Sequence, residues 1–119
     1  MDSAPPRELD DYVEQLTGPE GPVERFDVET RRREFEALRA LLLEGRTGDD
    51  PRTEPLAEAI AAGALGNQHL WKDLRLPGRP VLRAILEAYF YPLASGNTRD
   101  MRWKRYFYKR LCGWPGFEG

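Results

Sequence analysis

Apolar side chains recur three and four residues apart along most of this chain, and each such stretch ends at glycine or proline. Leu9, Tyr12, Val13 and Leu16 form the first stripe, with Pro5-Pro6 just where a helix could begin and Thr17-Gly18-Pro19 as its stop. Phe35, Leu38, Leu41 and Leu42 form the second, with Asp27 or Thr30 as cap and Gly45 as stop. Pro55 suits the first turn of a third, through Leu56, Ala57, Ile60, Ala61 and Leu65, closed by Gly63 or Gly66. Arg79-Pro80 open a fourth, with Val81, Leu82, Ile85, Leu86, Tyr89 and Phe90 inward and Pro92 ending it. The fifth runs from a cap at Thr98 or Asp100 to about Cys112, closed by Gly113-Trp114-Pro115-Gly116. This spacing places each set on one face of a helix. No stretch alternates with period two and no hairpin signal separates two such stretches. The expectation is an all-α fold, a compact single-domain array of five or six short helices over residues 1–119.

Between the stripes, Gly18 to Pro22 and Gly45 to Pro55 read as loops, and Gly66 to Leu76 as a compact connection or a single helical turn. The alanine-rich third helix permits close backbone approach, so its expected place is central. Arg31, Arg32 and Arg33 beside Glu29, Glu34 and Glu36 read as a solvated face with local ion pairs.

The formal net charge of -2 conceals an uneven distribution. Residues 1–66 carry 16 acidic and 8 basic side chains, and residues 67–119 carry 4 and 10. Opposed halves either neutralise each other by packing, or the basic half meets an anionic partner. The single cysteine excludes an intramolecular disulfide and any self-contained multi-cysteine metal site. The first eight residues do not read as a signal peptide. No apolar run approaches the roughly 20 residues of a membrane span. A cytoplasmic protein is expected.

The basic half is concentrated in Asn97 to Cys112, which holds Arg99, Arg102, Lys104, Arg105, Lys109 and Arg110 together with Trp103, Tyr106, Phe107 and Tyr108. On a helical wheel Met101, Trp103, Phe107, Tyr108, Leu111 and Cys112 share one half. Arg102, Arg105, Lys109 and Arg110 share the other, with Tyr106 among them. Lys104 falls inside the apolar arc. Its stem either runs along apolar surface to water, or its ammonium is held at a buried acceptor, a carboxylate or a bound anion. Cys112 is either packed as a small hydrophobe or, if exposed, faces Lys109 and Arg110, which favour its thiolate. His69, the one histidine, is either a structural hydrogen bonder or a ligand.

Catalytic signatures are missing. One Cys and one His could form a dyad, but no acid is specifically placed beside them and no cysteine-protease signature surrounds Cys112. There is no phosphate-binding glycine loop, His-Glu-x-x-His or serine elbow. Asp10-Asp11 and Asp49-Asp50 lie in polar segments. No enzymatic activity is expected.

Two separated motifs carry a resemblance. Gly66-Asn67-x-His69-Leu70-Trp71-x-Asp73-Leu74-x-Leu76 is followed by Pro92-Leu93-Ala94-x-x-Asn97-Thr98-Arg99-Asp100-Met101-Arg102-Trp103-Lys104-Arg105-x-Phe107-Tyr108-x-x-Leu111-Cys112. Together they resemble the NifQ family of nitrogen-fixation proteins over about residues 60–112. The resemblance implies a core at 56–112, preceded by variable N-terminal helices at 1–55 and followed by a short tail at 113–119. It implies a non-enzymatic accessory protein that handles molybdenum for assembly of the nitrogenase iron–molybdenum cofactor, alongside a protein partner of that assembly. The family runs on after the cysteine matching Cys112 into a tail of the form C-x(4)-C-x(2)-C-x(5)-C, which this sequence lacks.

One thiol cannot by itself hold a molybdenum–iron–sulfur cluster, which needs about four thiolates. Three readings stay open: a relative without its own cluster, binding through a dimer or partner, or a different use of the helical module. On the first, Cys112 and His69 are the candidate metal ligands, and Lys104 and Arg105 favour an anion such as molybdate. The wider anion- or partner-binding set is Lys104, Arg105, Arg102, Lys109, Arg99 and Trp103. The alternative function is a helical adaptor that docks an acidic protein through the basic-aromatic terminal helix. Nucleic acid suits the acidic overall balance poorly, and no membrane contact is expected.

Overall fold

A computed structural model describes residues 8–112, and among them every regular element is a helix. In chain order these are α1 (Leu9–Thr17), α2 (Pro22–Arg25), α3 (Arg32–Glu44), α4 (Thr53–Gly63), α5 (Leu70–Asp73), α6 (Arg79–Tyr89), α7 (Tyr91–Ala94) and α8 (Trp103–Leu111). The five longer helices are the five apolar stripes. The remaining three are single turns, two of them opened by a proline within the first two positions, Pro22 in α2 and Pro92 in α7. Pro92 thus sits where α6 has just ended and a new turn begins, because a missing N–H costs nothing in a helix's first turn. The start expected at Pro5-Pro6 and the closure expected at 113–116 lie outside the described residues.

Helix α4 is the hub, with α1, α2 and α3 packed on it. Leu56, Ala57, Ala59, Ile60, Ala61 and Ala62 are completely buried, the small alanines letting three neighbours approach at once. Helix α8 leans on α3, and α5, α7 and α1 pack on α6. The core includes Leu38, Leu42, Leu82, Ile85, Phe90, Phe107 and Leu111, none of them accessible to solvent.

Two expected caps are replaced by other devices. Arg31 holds the N-cap of α3, while Asp27 closes the preceding turn by accepting the Thr30 N–H at 3.2 Å and its hydroxyl at 2.5 Å. Arg102, not Thr98 or Asp100, precedes α8. The turn before it is clamped by Asn97, whose amide accepts the Met101 N–H at 2.8 Å and donates to the Met101 carbonyl at 2.9 Å. Asp100 sits at φ 51°, a left-handed conformation that an aspartate tolerates better than most residues. On the α3 face Arg31 pairs with Glu34, and Arg32 with Glu29 and Glu36, as the charge pattern implied.

Tyr106 departs from the wheel. It is 5 % exposed, and its hydroxyl donates to the Leu93 carbonyl at 2.6 Å. Gly96 makes room for that hydroxyl, since a Cβ there would overlap it. Burial pushes the phenol's pKa up. Cys112 is exposed at the end of α8 and takes no part in the core. No helix among the described residues is long and apolar enough to cross a membrane.

Candidate functional site: a basic groove between α5 and α8

The lysine embedded in the apolar arc of α8 is held by a buried acceptor. Lys104 Nζ donates to Asp73 Oδ2 at 2.5 Å and to the Gly66 carbonyl at 2.8 Å. The Asp73 side chain is 7 % exposed and that of Lys104 17 %. The Gln68 N–H donates to the same Asp73 oxygen at 3.0 Å, which folds the 66–73 connection around the carboxylate. Arg25 Nη2 donates to the Asp73 carbonyl at 2.9 Å. Gly66 is required by proximity, because a Cβ there would collide with the Asp73 carboxylate. Burying two charges is costly, and only a short, fully bonded pair offsets that cost. This pair ties the α4–α5 connection to the first turn of α8 and sets the distance between them.

Between those two elements runs a groove of about 1170 Å³. His69, Trp71 and Lys72 line it from the α5 side, Arg102, Trp103, Lys104 and Arg105 from α8, and Arg79 from the start of α6. Lys72 lies 5.6 Å from the Trp71 ring. Arg79 lies 5.6 Å from the Trp103 ring and donates at 2.7 Å to both Asp100 and the Met101 carbonyl. That guanidinium holds the Asp100 carboxyl below its ordinary pKa. Trp103 is 5 % exposed and stacks at 6.0 Å edge-on to Tyr106, so its ring is a wall anchored in the core. Its Nε1 is buried with no acceptor. Arg102, Arg105, Lys72 and His69 are exposed, and none of them has a carboxylate partner among the described residues.

Four of the six residues anticipated for anion or partner binding, Arg102, Trp103, Lys104 and Arg105, therefore share a groove with His69. Arg99 and Lys109 do not join them. They line a second groove of about 910 Å³ with Arg110, on the other side of the 97–101 turn. Cys112 is not among the lining residues of either groove. No group of three or more His, Cys, Asp or Glu side chains among the described residues could hold a metal ion. The donor set in the first groove is thus mainly hydrogen-bonding cations with one imidazole. It suits a bound oxyanion better than a bare soft metal or a thiolate-held cluster.

Sequence reasoning overlooked Asp73, Lys72 and Arg79 as site residues. Asp73 was signalled indirectly, since a lysine on an apolar arc implies an acid somewhere, but no local pattern says which one.

No solved structure matches the chain. The family model for NifQ matches residues 10–118, so the likeness extends well into the helices before residue 56. The protein is 51 % identical over 89 residues to Protein NifQ of Azotobacter vinelandii, covering 75 % of this chain and 46 % of that protein. It is 44 % identical over 81 residues to the Protein NifQ homolog of Sinorhizobium fredii, covering 68 % and 35 %. With Protein NifQ of Rhodobacter capsulatus it shares 35 % identity over 83 residues, covering 70 % and 46 %. The matched part is thus less than half the length of each of these relatives. On these matches, and with both motif segments forming the walls of one groove, the chain belongs to the NifQ family.

Proposed function

We propose that this protein is a non-enzymatic accessory factor of nitrogen fixation that handles molybdenum for nitrogenase cofactor assembly, receiving it as an oxyanion in the groove between α5 and α8. The observation that carries the reading is the set of uncompensated cations there. Lys72, Arg102 and Arg105 face a common space with His69 and have no carboxylate partner among the described residues. Molybdate is a tetrahedral dianion, and charge-assisted N–H donors are the groups that hold such ions. Lys104 does not serve as a free donor in this reading, because Asp73 and Gly66 already occupy it. It positions the α8 wall instead.

Cys112 stands outside the groove, so it is not needed to hold the anion. Molybdenum analysis of anaerobically purified protein from molybdate-fed cells tests this. Wild type and Cys112→Ser should carry molybdenum, and Arg102→Gln/Arg105→Gln should carry little. Metal-free wild type, or loss caused by the cysteine change and not by the arginine changes, would overturn the reading.

A further inference from the structure

The second groove, like the first, gathers cations that the chain itself does not pair. In the acidic half, Arg31, Arg32, Arg39, Arg46 and Arg52 each reach a carboxylate on the chain itself. Arg99, Lys109 and Arg110, which line the second groove, are exposed and have no carboxylate partner among the described residues. The two charge-opposed halves therefore do not neutralise each other here by packing.

The polar groups of the groove floor are already committed. The Tyr106 hydroxyl is given to Leu93, and both ends of the Asn97 amide are given to Met101. What the groove offers an incoming molecule is an apolar floor of Leu41, Met101 and Tyr106 beneath three exposed cations, with Thr98 as the remaining hydroxyl and Glu44 as the one carboxylate. No fixed donors converge on a point, as enclosure of a small anion requires. An apolar floor under a cationic rim instead complements a chain segment that brings an apolar side chain flanked by carboxylates.

We propose that this groove docks an acidic segment of a partner protein, seating one large apolar side chain on Leu41, Met101 and Tyr106 while its carboxylates meet Arg99, Lys109 and Arg110. The site is separate from the oxyanion groove, with the clamped 97–101 turn as the wall between them and Met101 lining both. Cargo and partner could therefore be held at once without competing for the same cations.

The test is fluorescence anisotropy with a labelled twelve-residue peptide, rich in glutamate and carrying a central phenylalanine, at low and physiological salt. A control peptide of identical charge carries serine in place of the phenylalanine. Saturable binding is expected, at least fivefold tighter for the phenylalanine peptide. Arg99→Glu/Lys109→Glu should weaken it about tenfold and flatten its salt dependence. Arg99→Gln/Lys109→Gln should give a smaller loss in the same direction, and both variants should retain the wild-type helical circular dichroism. Arg102→Gln/Arg105→Gln, in the other groove, should stay within twofold of wild type. Equal affinity for the two peptides would reduce the groove to unspecific charge attraction and overturn the proposal. So would absence of saturable binding at low salt, or an Arg102/Arg105 effect as large as the Arg99/Lys109 effect.

Discussion

Replacing Lys104 by methionine should be among the most damaging single changes in this protein, although it adds apolar surface to an apolar arc. The change leaves the Asp73 carboxylate 7 % exposed, with the Gln68 N–H as its one remaining donor. It also leaves the Gly66 carbonyl without its 2.8 Å partner. At an effective dielectric of about 20, the lost attraction at 2.5 Å is roughly 6–7 kcal/mol gross. The intact pair returns most of that as desolvation cost, so its net worth is small. Breaking it by removing one partner costs about 3–5 kcal/mol, because the survivor keeps the desolvation and loses the attraction. Lys104 retains some solvent access, which places the expectation near the lower end. A loss of about 3 kcal/mol would lower the melting temperature of a chain this size by roughly 10–20 °C.

The complementary change, Asp73→Leu, should cost a similar amount by stranding the ammonium. The double variant Lys104→Met/Asp73→Leu should recover to within roughly 1–2 kcal/mol of wild type, since no buried charge is left uncompensated. Urea unfolding followed by tryptophan fluorescence measures all four proteins in one double-mutant cycle. A coupling energy of about 2 kcal/mol or more is expected. Strictly additive single effects, or a Lys104→Met protein within about 0.5 kcal/mol of wild type, would refute the claim that this pair holds the groove walls together.

Other changes read the same geometry. Gly66→Ala should destabilise by about 1–3 kcal/mol through overlap with the Asp73 carboxylate, visible as a lower urea midpoint. Tyr106→Phe should cost about 1 kcal/mol, since it removes the 2.6 Å hydroxyl bond and leaves the Leu93 carbonyl with only the Gly96 N–H at 3.2 Å, and calorimetry should show the lowered midpoint. Tyr108 donates to Glu34 at 2.9 Å, and burial is the main cause that pushes its phenol up to about 12. A raised folded-state pKa gives stability that is fully present below the unfolded value near 10 and is lost as pH rises through the folded one. The protein should therefore lose stability between about pH 10 and 12, and Tyr108→Phe should flatten that limb in a pH-jump unfolding series.

The parts of the fold legible in the sequence were those decided locally. A stripe such as Leu82, Ile85, Leu86 and Tyr89 can be read because helical spacing alone places it on one face, and Gly45 could be read as a stop because it follows the last apolar residue of its stripe. The single-turn helices α2 and α7 were not legible, because a proline reads as a stop as readily as a start, and Pro22 and Pro92 in fact lie in the first turn of a new helix. Tyr106 was misplaced because its burial depends on Leu93 and Gly96, which lie ten or more residues away and signal nothing in a wheel. The Lys104 anomaly was visible, but its resolution by Asp73 requires the tertiary fold to bring residues 31 positions apart into contact. The splitting of Arg99 from Arg102 and Arg105 likewise follows from the Asn97 clamp on the turn before α8, which no helical periodicity contains.

Equilibrium titration of the wild-type protein with molybdate, beside sulfate and phosphate, tests the central claim most directly. Saturable binding of one molybdate is expected, weakened at least tenfold by Arg102→Gln/Arg105→Gln through loss of two charge-assisted contacts. Arg99→Gln/Lys109→Gln should leave it unchanged. If molybdate does not bind, or binds equally well to the Arg102/Arg105 variant, the groove between α5 and α8 does not receive the metal's oxyanion.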